Sequence, residues 1–404
     1  MNKSAKNLKS LKIAYFLITD IQHFPPVLRL LPLLGGIIIT SNKTIYNYIL
    51  KKYPDLNFPV YLVKNNNQAR KILFKHRIRM VIYPGFNTLY FGKSVQIFHG
   101  GLSDKNYVES LLILMYNLVL FPGEKTRDKV KKSGYLKFIP QWDIIGYPKF
   151  DPLINHKLEV IPLFTNDRKT ILYAPTWASD EHTKNFVKFS PYGETSIYLW
   201  AKEIIKSLYK NYNLIIKYHS KLERKDGDIY EQIDHLIKEL KAEDHVVTKI
   251  DDNILPFMYQ SDLMISDIST ACYEWFHFDK PIVFANPSPE HYSPSDNISS
   301  NTYAWQAGDV IYKSEDILKY VNKNLQQDKY QEKRNELFHY TVFQPDGNAT
   351  KRQAESIIQY YSKFENKPYY LFIFQNWLWG RFRRRIIKIV NRYYHLFKKE
   401  KIGR

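Results

Sequence analysis

Two histidines, each placed just after a short apolar run, are the residues of this chain best suited to move a proton. His99 follows Val95-Gln96-Ile97-Phe98 and precedes Gly100-Gly101 and the polar turn Leu102-Ser103-Asp104-Lys105. His219 follows Leu214-Ile215-Ile216-Lys217-Tyr218. An imidazole titrates near neutrality, and glycine beside it lets a ligand approach without a side-chain clash. As a pair, one ring would act as general base and the other would donate to a phosphoryl oxygen. Each also has a plainer reading, His99 as a strand-end residue bonded to backbone and His219 as a loop histidine.

The segment Ser261-Asp262 through Tyr273-Glu274 reads as a buried strand ending at Asp267, with Ser269 and Thr270 at the start of a helix. Hydroxyls there cap free N–H groups, and those N–H groups with the helix dipole also favour a phosphate. Asp267 would position a hydroxyl, contact ligand hydroxyls or serve only as the N-cap. Thr176, in Ala174-Pro175-Thr176-Trp177, is placed to meet a ligand at another strand end, with Trp177 as a packing residue. Lys351 and Arg352 follow the turn Pro345-Asp346-Gly347-Asn348 at a helix start where Thr350 could cap, and cations there oppose the dipole. An anionic ligand or plain solvent exposure would each relieve that conflict. The chain has no P-loop, no Gly-x-Gly-x-x-Gly and no cysteine and histidine metal cluster, which argues against an ATPase, a nicotinamide enzyme and a zinc hydrolase.

The elements that must carry these residues alternate. Strands are expected at 12–18, 37–40, 60–63, 80–83, 95–98 and 117–121, with helical stretches at 43–52 and 68–76 between them. A second series runs through 170–174, 214–218, 246–249, 263–266 and 281–284. Such alternation implies two open α/β domains with mainly parallel sheets facing a cleft, and ligands collect at the carboxyl ends of the strands. The expected division is 1–150, a connection at 151–169, a second domain at 170–345, a closing helix at 346–368 and a tail at 369–404.

The 404 residues suffice for two cores, and 44% hydrophobic with 25% charged residues describes a globular chain. The single cysteine, Cys272, excludes an intramolecular disulfide and fits a reducing compartment. The amino terminus reads as the lead-in to a strand rather than a signal peptide. A net charge of +19 calls for an anionic partner, and ten Lys or Arg against Glu400 lie between Arg381 and Arg404. On a helix, Phe382, Ile386, Ile389, Val390, Tyr393 and Phe397 would share one face, beside an aromatic segment, Tyr369 to Trp379, too short to span a bilayer. That composition suits a helix lying in an anionic membrane interface, or one docked on the chain's own core. No zinc finger, RNA-binding sheet motif or heptad array accompanies the charge, so nucleic acid is not the expected partner.

Taken in order, His99-Gly100, Gly146-Tyr147-Pro148, Tyr173 to Trp177, Ile215 to His219, Ser261-Asp262 through Ser269-Thr270, Lys280 to Phe284 and Asp346 to Thr350 resemble the CDP-glycerol glycerophosphotransferase family of teichoic acid primases and polymerases. The resemblance implies a GT-B-like pair of Rossmann-like domains with a basic amphipathic C-terminal tail, the first domain on the acceptor side and the second binding the nucleotide donor. It implies transfer of glycerol phosphate from CDP-glycerol to a hydroxyl of a lipid-linked cell-surface glycan, with CMP released. His99 would be the base and His219 would sit at the donor pyrophosphate. Gly100, Thr176, Asp267, Ser269, Thr270, Lys351 and Arg352 would contact the donor or its phosphates. No tightly bound cofactor is implied, although a divalent ion such as Mg²⁺ could assist, and the expected seat is peripheral, on the cytoplasmic side of the membrane. The compact chain favours adding one or a few units over processive polymerisation. Two departures bear on specificity. Gly101-Leu102 replaces the family's Thr-Pro with its following lysine, and Ala178-Ser179-Asp180 stands where an arginine is common. CDP-ribitol, a nucleotide sugar or a catalytically silent membrane-bound scaffold of the same fold are the alternatives.

Overall fold

The computed structural model describes residues 11–99, 102, 104, 106–177, 195–219, 222, 227–250 and 253–402, with the side chains of 106, 227, 228, 388 and 390–402 left aside. Gly100, Ser179 and the other residues of those short gaps lie outside the described set. Seven strands form the first sheet: β1 Ile13–Leu17, β2 Ile37–Thr40, β3 Val60–Leu62, β4 Met80–Tyr83, β5 Lys93–Gln96, β6 Leu118–Phe121 and β7 Gln141–Ile144. Six form the second: β8 Thr170–Ala174, β9 Asn213–Tyr218, β10 Val246–Ile250, β11 Leu263–Ser266, β12 Ile282–Ala285 and β13 Asp309–Ile311. Every pairing is parallel, in the orders β3-β2-β1-β4-β5-β6-β7 and β10-β9-β8-β11-β12-β13. Both orders reverse at one point, between β1 and β4 in the first sheet and between β8 and β11 in the second. A crevice opens there at the carboxyl ends of the strands, because the two flanking connections leave toward opposite faces.

Strands buried on both faces are continuous apolar runs, as in Met80-Val81-Ile82-Tyr83, and helices cover them. The strand expected at 95–98 instead spans Lys93–Gln96, because Phe98 adopts a positive φ of 49° that ends the ladder. His99 therefore leaves the sheet through a bend rather than from the last strand residue. Two further strands, β7 and β13, were not expected. The polar, half-exposed Gln141-Trp142-Asp143-Ile144 and a three-residue strand carry too little apolar pattern to announce themselves.

After the second sheet the chain returns to the first. The helix Ala349–Ser362 buries Ala354, Ile357, Tyr360 and Tyr361 in the core that holds Ile13, Met80 and Val95. Burying one such large side chain is worth on the order of 1.5–3 kcal/mol, which fastens this crossover firmly. The last helix, Tyr369–Ile402, sets Phe372 into the same core. Arg79 lies over the rings of Tyr369 and Phe372, and Arg384 lies over Tyr90. Arg79 and Tyr90 precede β4 and β5, so this helix sits at the amino edge of the first sheet. Its Tyr370, Phe374, Trp377, Trp379, Phe382 and Ile389 remain exposed.

Candidate active site

The His99 backbone N–H and its ring Nδ1 both lie 3.0 Å from the Pro84 carbonyl oxygen. A carbonyl oxygen can only accept, so Nδ1 carries the proton and Nε2 carries the lone pair of the neutral ring. One face of the ring meets His23, at 4.0 Å between centroids and 41° between planes. His23 follows β1, is buried, and has Thr19 Oγ1 3.2 Å from its ring nitrogens. No sequence signal singled out His23, which lies in polar chain before Phe24-Pro25-Pro26.

Leu102 and Asp104, downstream of His99, are held by a buried ionic cluster that sequence reasoning also missed. Asp104 accepts from Lys125 Nζ at 2.6 Å and from the Tyr273 hydroxyl at 2.7 Å through Oδ1, and from the Ala304 N–H at 2.9 Å through Oδ2. Lys125 also donates to the Leu102 carbonyl at 2.8 Å and sits 3.4 Å from the Tyr273 ring centroid. Lys129 donates to the Asp104 carbonyl at 2.6 Å and pairs with Glu109 at 3.4 Å. Lys125 and Lys129 have no exposed surface. Burial pulls the Lys125 ammonium down to about 8, against the opposing pull of Asp104. Tyr273 and Ala304 belong to the second domain, so Asp104, five residues after the candidate base, is clamped across the interface. A second clamp runs beside it. The Tyr147 hydroxyl donates to Glu274 at 2.6 Å and lies 3.4 Å from the His99 carbonyl, while Lys149 binds both Glu274 oxygens at 2.9 and 2.7 Å.

At the second sheet's carboxyl edge Asp267 is buried and used as a fastener. Its Oδ1 accepts from the Thr176 N–H at 2.7 Å, and its Oδ2 accepts from the Ser196 N–H and hydroxyl, each at 3.0 Å. The N-cap role considered for Asp267 is replaced by this bridge between β8 and the helix Ser196–Leu208. Thr176 is likewise buried, its carbonyl accepting from Thr195 Oγ1 at 2.6 Å. Ser269 Oγ accepts from the Ala271 N–H at 3.3 Å, and Thr270 is the N-cap residue of the helix Ala271–Phe276 without a side-chain cap bond. His219 stands at the end of β9 with its ring 6.0 Å from that of Trp177. Lys217, two residues earlier, is buried with Nζ 2.8 Å from the Tyr218 carbonyl, a cation the pattern of apolar neighbours disguised.

The structure thus brings His99 to His23, Thr176 to Asp267, and His219 to Trp177. Lys351 and Arg352 have other surroundings. The anion at their helix start is the chain's own Asp151, which accepts from the Ala349 N–H at 3.1 Å and the Thr350 N–H at 2.6 Å. This corrects Thr350 as the cap, and an external anion is not needed there because a carboxylate from the connection already fills the place. Arg352 donates to the Ile145 and Gln344 carbonyls and to both oxygens of Asp346. Its guanidinium is committed to holding the crossover. Lys351 is exposed, 4.0 Å from Glu355.

Known proteins frame this arrangement. The family model described as CDP-glycerol:poly(glycerophosphate) glycerophosphotransferase matches residues 136–359. The teichoic acid poly(ribitol-phosphate) polymerase of Bacillus spizizenii (strain ATCC 23059 / NRRL B-14472 / W23) is 21% identical over 390 residues, covering 84% of this chain and 59% of that protein. The chain thus spans somewhat over half the length of this curated relative. Among solved structures, a histidine-to-asparagine variant of the wall teichoic acid polymerase TagF superposes with a TM-score of 0.58 at 15% identity, covering 88% of this chain and 89% of that one. The UDP-bound MnaA of S. aureus gives 0.57 at 16% identity, covering 88% and 98%. At these identities the structural likeness concerns the fold, two parallel-sheet α/β domains of GT-B type.

Proposed function

The chain belongs to the CDP-glycerol:poly(glycerophosphate) glycerophosphotransferase family, and on that premise we propose that it transfers a polyol phosphate, glycerol phosphate first, from its CDP-activated form to an acceptor hydroxyl. The observation that carries the reading is the bond from His99 Nδ1 to the Pro84 carbonyl, which leaves Nε2 basic at the carboxyl edge of the sheet. In the proposed step Nε2 takes the acceptor proton, the acceptor oxygen bonds to the β-phosphorus, and the bond to the CMP oxygen breaks, that oxygen keeping the electron pair. His219 and the N–H groups near Ser269 and Thr270 would face the donor diphosphate, with Gly100 allowing close approach beside the base. Asp267 and Thr176 would shape that edge. Any Mg²⁺ would arrive on the diphosphate, and chelation with EDTA tests that contribution. No tightly bound cofactor enters the scheme.

The acceptor in this reading is a lipid-linked cell-surface glycan, with the enzyme seated peripherally on the cytoplasmic side of the membrane. The exposed Trp377, Trp379 and Phe382 beside Arg381, Arg383, Arg384 and Arg385 support an anionic lipid surface as the partner. Among the described residues no helix is long and apolar enough to cross a membrane. Replacing Trp377, Trp379 and Phe382 together by serine should release the protein from anionic vesicles in a flotation assay, and unchanged flotation would reject this seat. Ribitol phosphate is the second reading, favoured by the name of the Bacillus spizizenii relative. Parallel measurement of CMP release from CDP-glycerol and CDP-ribitol, with acceptor-bearing membranes, decides between them. CMP from neither donor would refute the proposal.

A further inference from the structure

We propose that His23 is a positioning residue for this transfer, its ring forming the wall that fixes the plane in which His99 Nε2 meets the acceptor hydroxyl. The inference rests on the reading of His99 as base. His23 closes the short turn Ile21–His23 that follows β1, and Pro84-Gly85 directly follows β4, the two strands that flank the point where the first sheet reverses. His99 comes from the neighbouring β5, so all three meet at the mouth of the crevice.

Two of the contacts that hold the His99 ring differ in kind. The bond from Nδ1 to Pro84 lies in the ring plane, and alone it leaves the ring free to rock about the line joining nitrogen and oxygen. The His23 face, 4.0 Å away, stops that rocking. His23 is itself held. It is 3% exposed and bonded to Thr19, and a side chain at Gly85 would bring its Cβ to 2.6 Å from His23 Cε1. Glycine at 85 is therefore what makes room for an aromatic ring at 23. The same Pro84-Gly85 dipeptide anchors one ring by its carbonyl and admits the other by its missing side chain. Phe98, with its φ of 49°, turns the chain so that His99 reaches this place, a costly backbone geometry that persists only when the surroundings fix it. Rate depends steeply on such alignment, a misplacement of about 1 Å costing on the order of a hundredfold.

The test uses the full chain carrying His23→Ala, His23→Phe or Thr19→Val. With the donor that supports CMP release, His23→Ala should lower kcat about 10- to 100-fold while donor KM stays within about twofold, since alignment acts in the transition state. His23→Phe should recover kcat to within about threefold of the parent, because a flat ring of similar width restores the wall. Thr19→Val should fall between them. An unchanged kcat in His23→Ala overturns the proposal, and so does a folded His23→Phe as slow as His23→Ala, which would give the His23 nitrogens a proton-handling role instead. A readout independent of turnover is the His99 ε1 proton in protein labelled at histidine, assigned with His99→Gln. The ring current of the nearby His23 displaces this resonance, His23→Ala should abolish the displacement and His23→Phe should keep it. A resonance unmoved by His23→Ala refutes the packing even if no CDP-polyol proves to be a donor, whereas absence of CMP from the parent chain alone refutes the function and leaves the ring contact decided by the spectrum.

Discussion

The two carboxyl edges share one strand order through six strands, with a seventh added to the first sheet, but use their polar side chains differently. At the first edge a histidine has its tautomer set by a backbone carbonyl, and Asp104, five residues on, is held by Lys125 and Tyr273. At the second edge the buried carboxylate of Asp267 binds protein N–H and O–H groups, so it fixes backbone rather than offering a reactive atom. In the proposed transfer this contrast would assign proton transfer to one sheet, and shape with phosphate-facing N–H groups to the other.

The sharpest way to break that contrast is to compare kinetic parameters at each edge. His99→Ala should lower kcat by about 10²–10⁴ with donor KM nearly unchanged, as removal of a general base does. A comparable rise in KM would move His99 into donor binding and erase the distinction. Asp104→Ala should be the largest stability loss, about 3–5 kcal/mol in a urea melt, because it strands the buried Lys125 charge. A loss below 1 kcal/mol, on the scale of an exposed pair, would mean the clamp across the interface is dispensable. Asp267→Asn should cost less, about 1–3 kcal/mol, since an amide still accepts through one oxygen but turns its NH₂ toward a donor. Its kinetic effect should fall on donor KM, and a kcat loss matching that of His99→Ala would place chemistry at both edges.

The smallest effect concerns protonation of the clamp. The Lys125 ammonium sits at about 8 in the folded chain, below its ordinary value of 10.5. Between those values the unfolded chain holds a proton the folded chain has released, so this group makes stability rise with pH in that window and leaves it flat below. The melting temperature of the parent relative to Lys125→Met should therefore climb from pH 8 toward pH 10. Parallel curves would show that Lys125 titrates alike in both states.

Sequence pattern alone was enough for the strands Ile37–Thr40, Met80–Tyr83, Thr170–Ala174 and Leu263–Ser266, because each is an apolar run bounded by turn residues. The pattern was silent where stability comes from distant polar partners. Asp104 and Ala304 are 200 residues apart, and Asp151 and Thr350 are 199 apart. Charged residues in polar stretches look solvated until the fold encloses them, so Lys125 and Lys129 gave no sign of burial. Arg352 illustrates the converse error. Its type and its place at a helix start suggested a ligand, but only the folded chain reveals the carbonyls of Ile145 and Gln344 as its acceptors. The positions of His99 and His219 were legible because each follows an apolar run, and the structure places them just beyond β5 and β9. His23 was not, since the short turn and proline-rich helix after β1 hide its position at the crevice.

The last helix lies against Arg79 and Tyr90, before β4 and β5, whereas His99 comes after β5. The sheet is therefore a spacer: four residues of strand at about 3.3 Å each hold the crevice some 13 Å beyond the edge that carries the helix. On the proposed lipid seat that height would separate the surface under the helix from a hydroxyl delivered to His99, and the reach of the acceptor would become a selection rule. A hydroxyl at the lipid's own headgroup would fall short, and one at the outer end of an extended glycan would arrive.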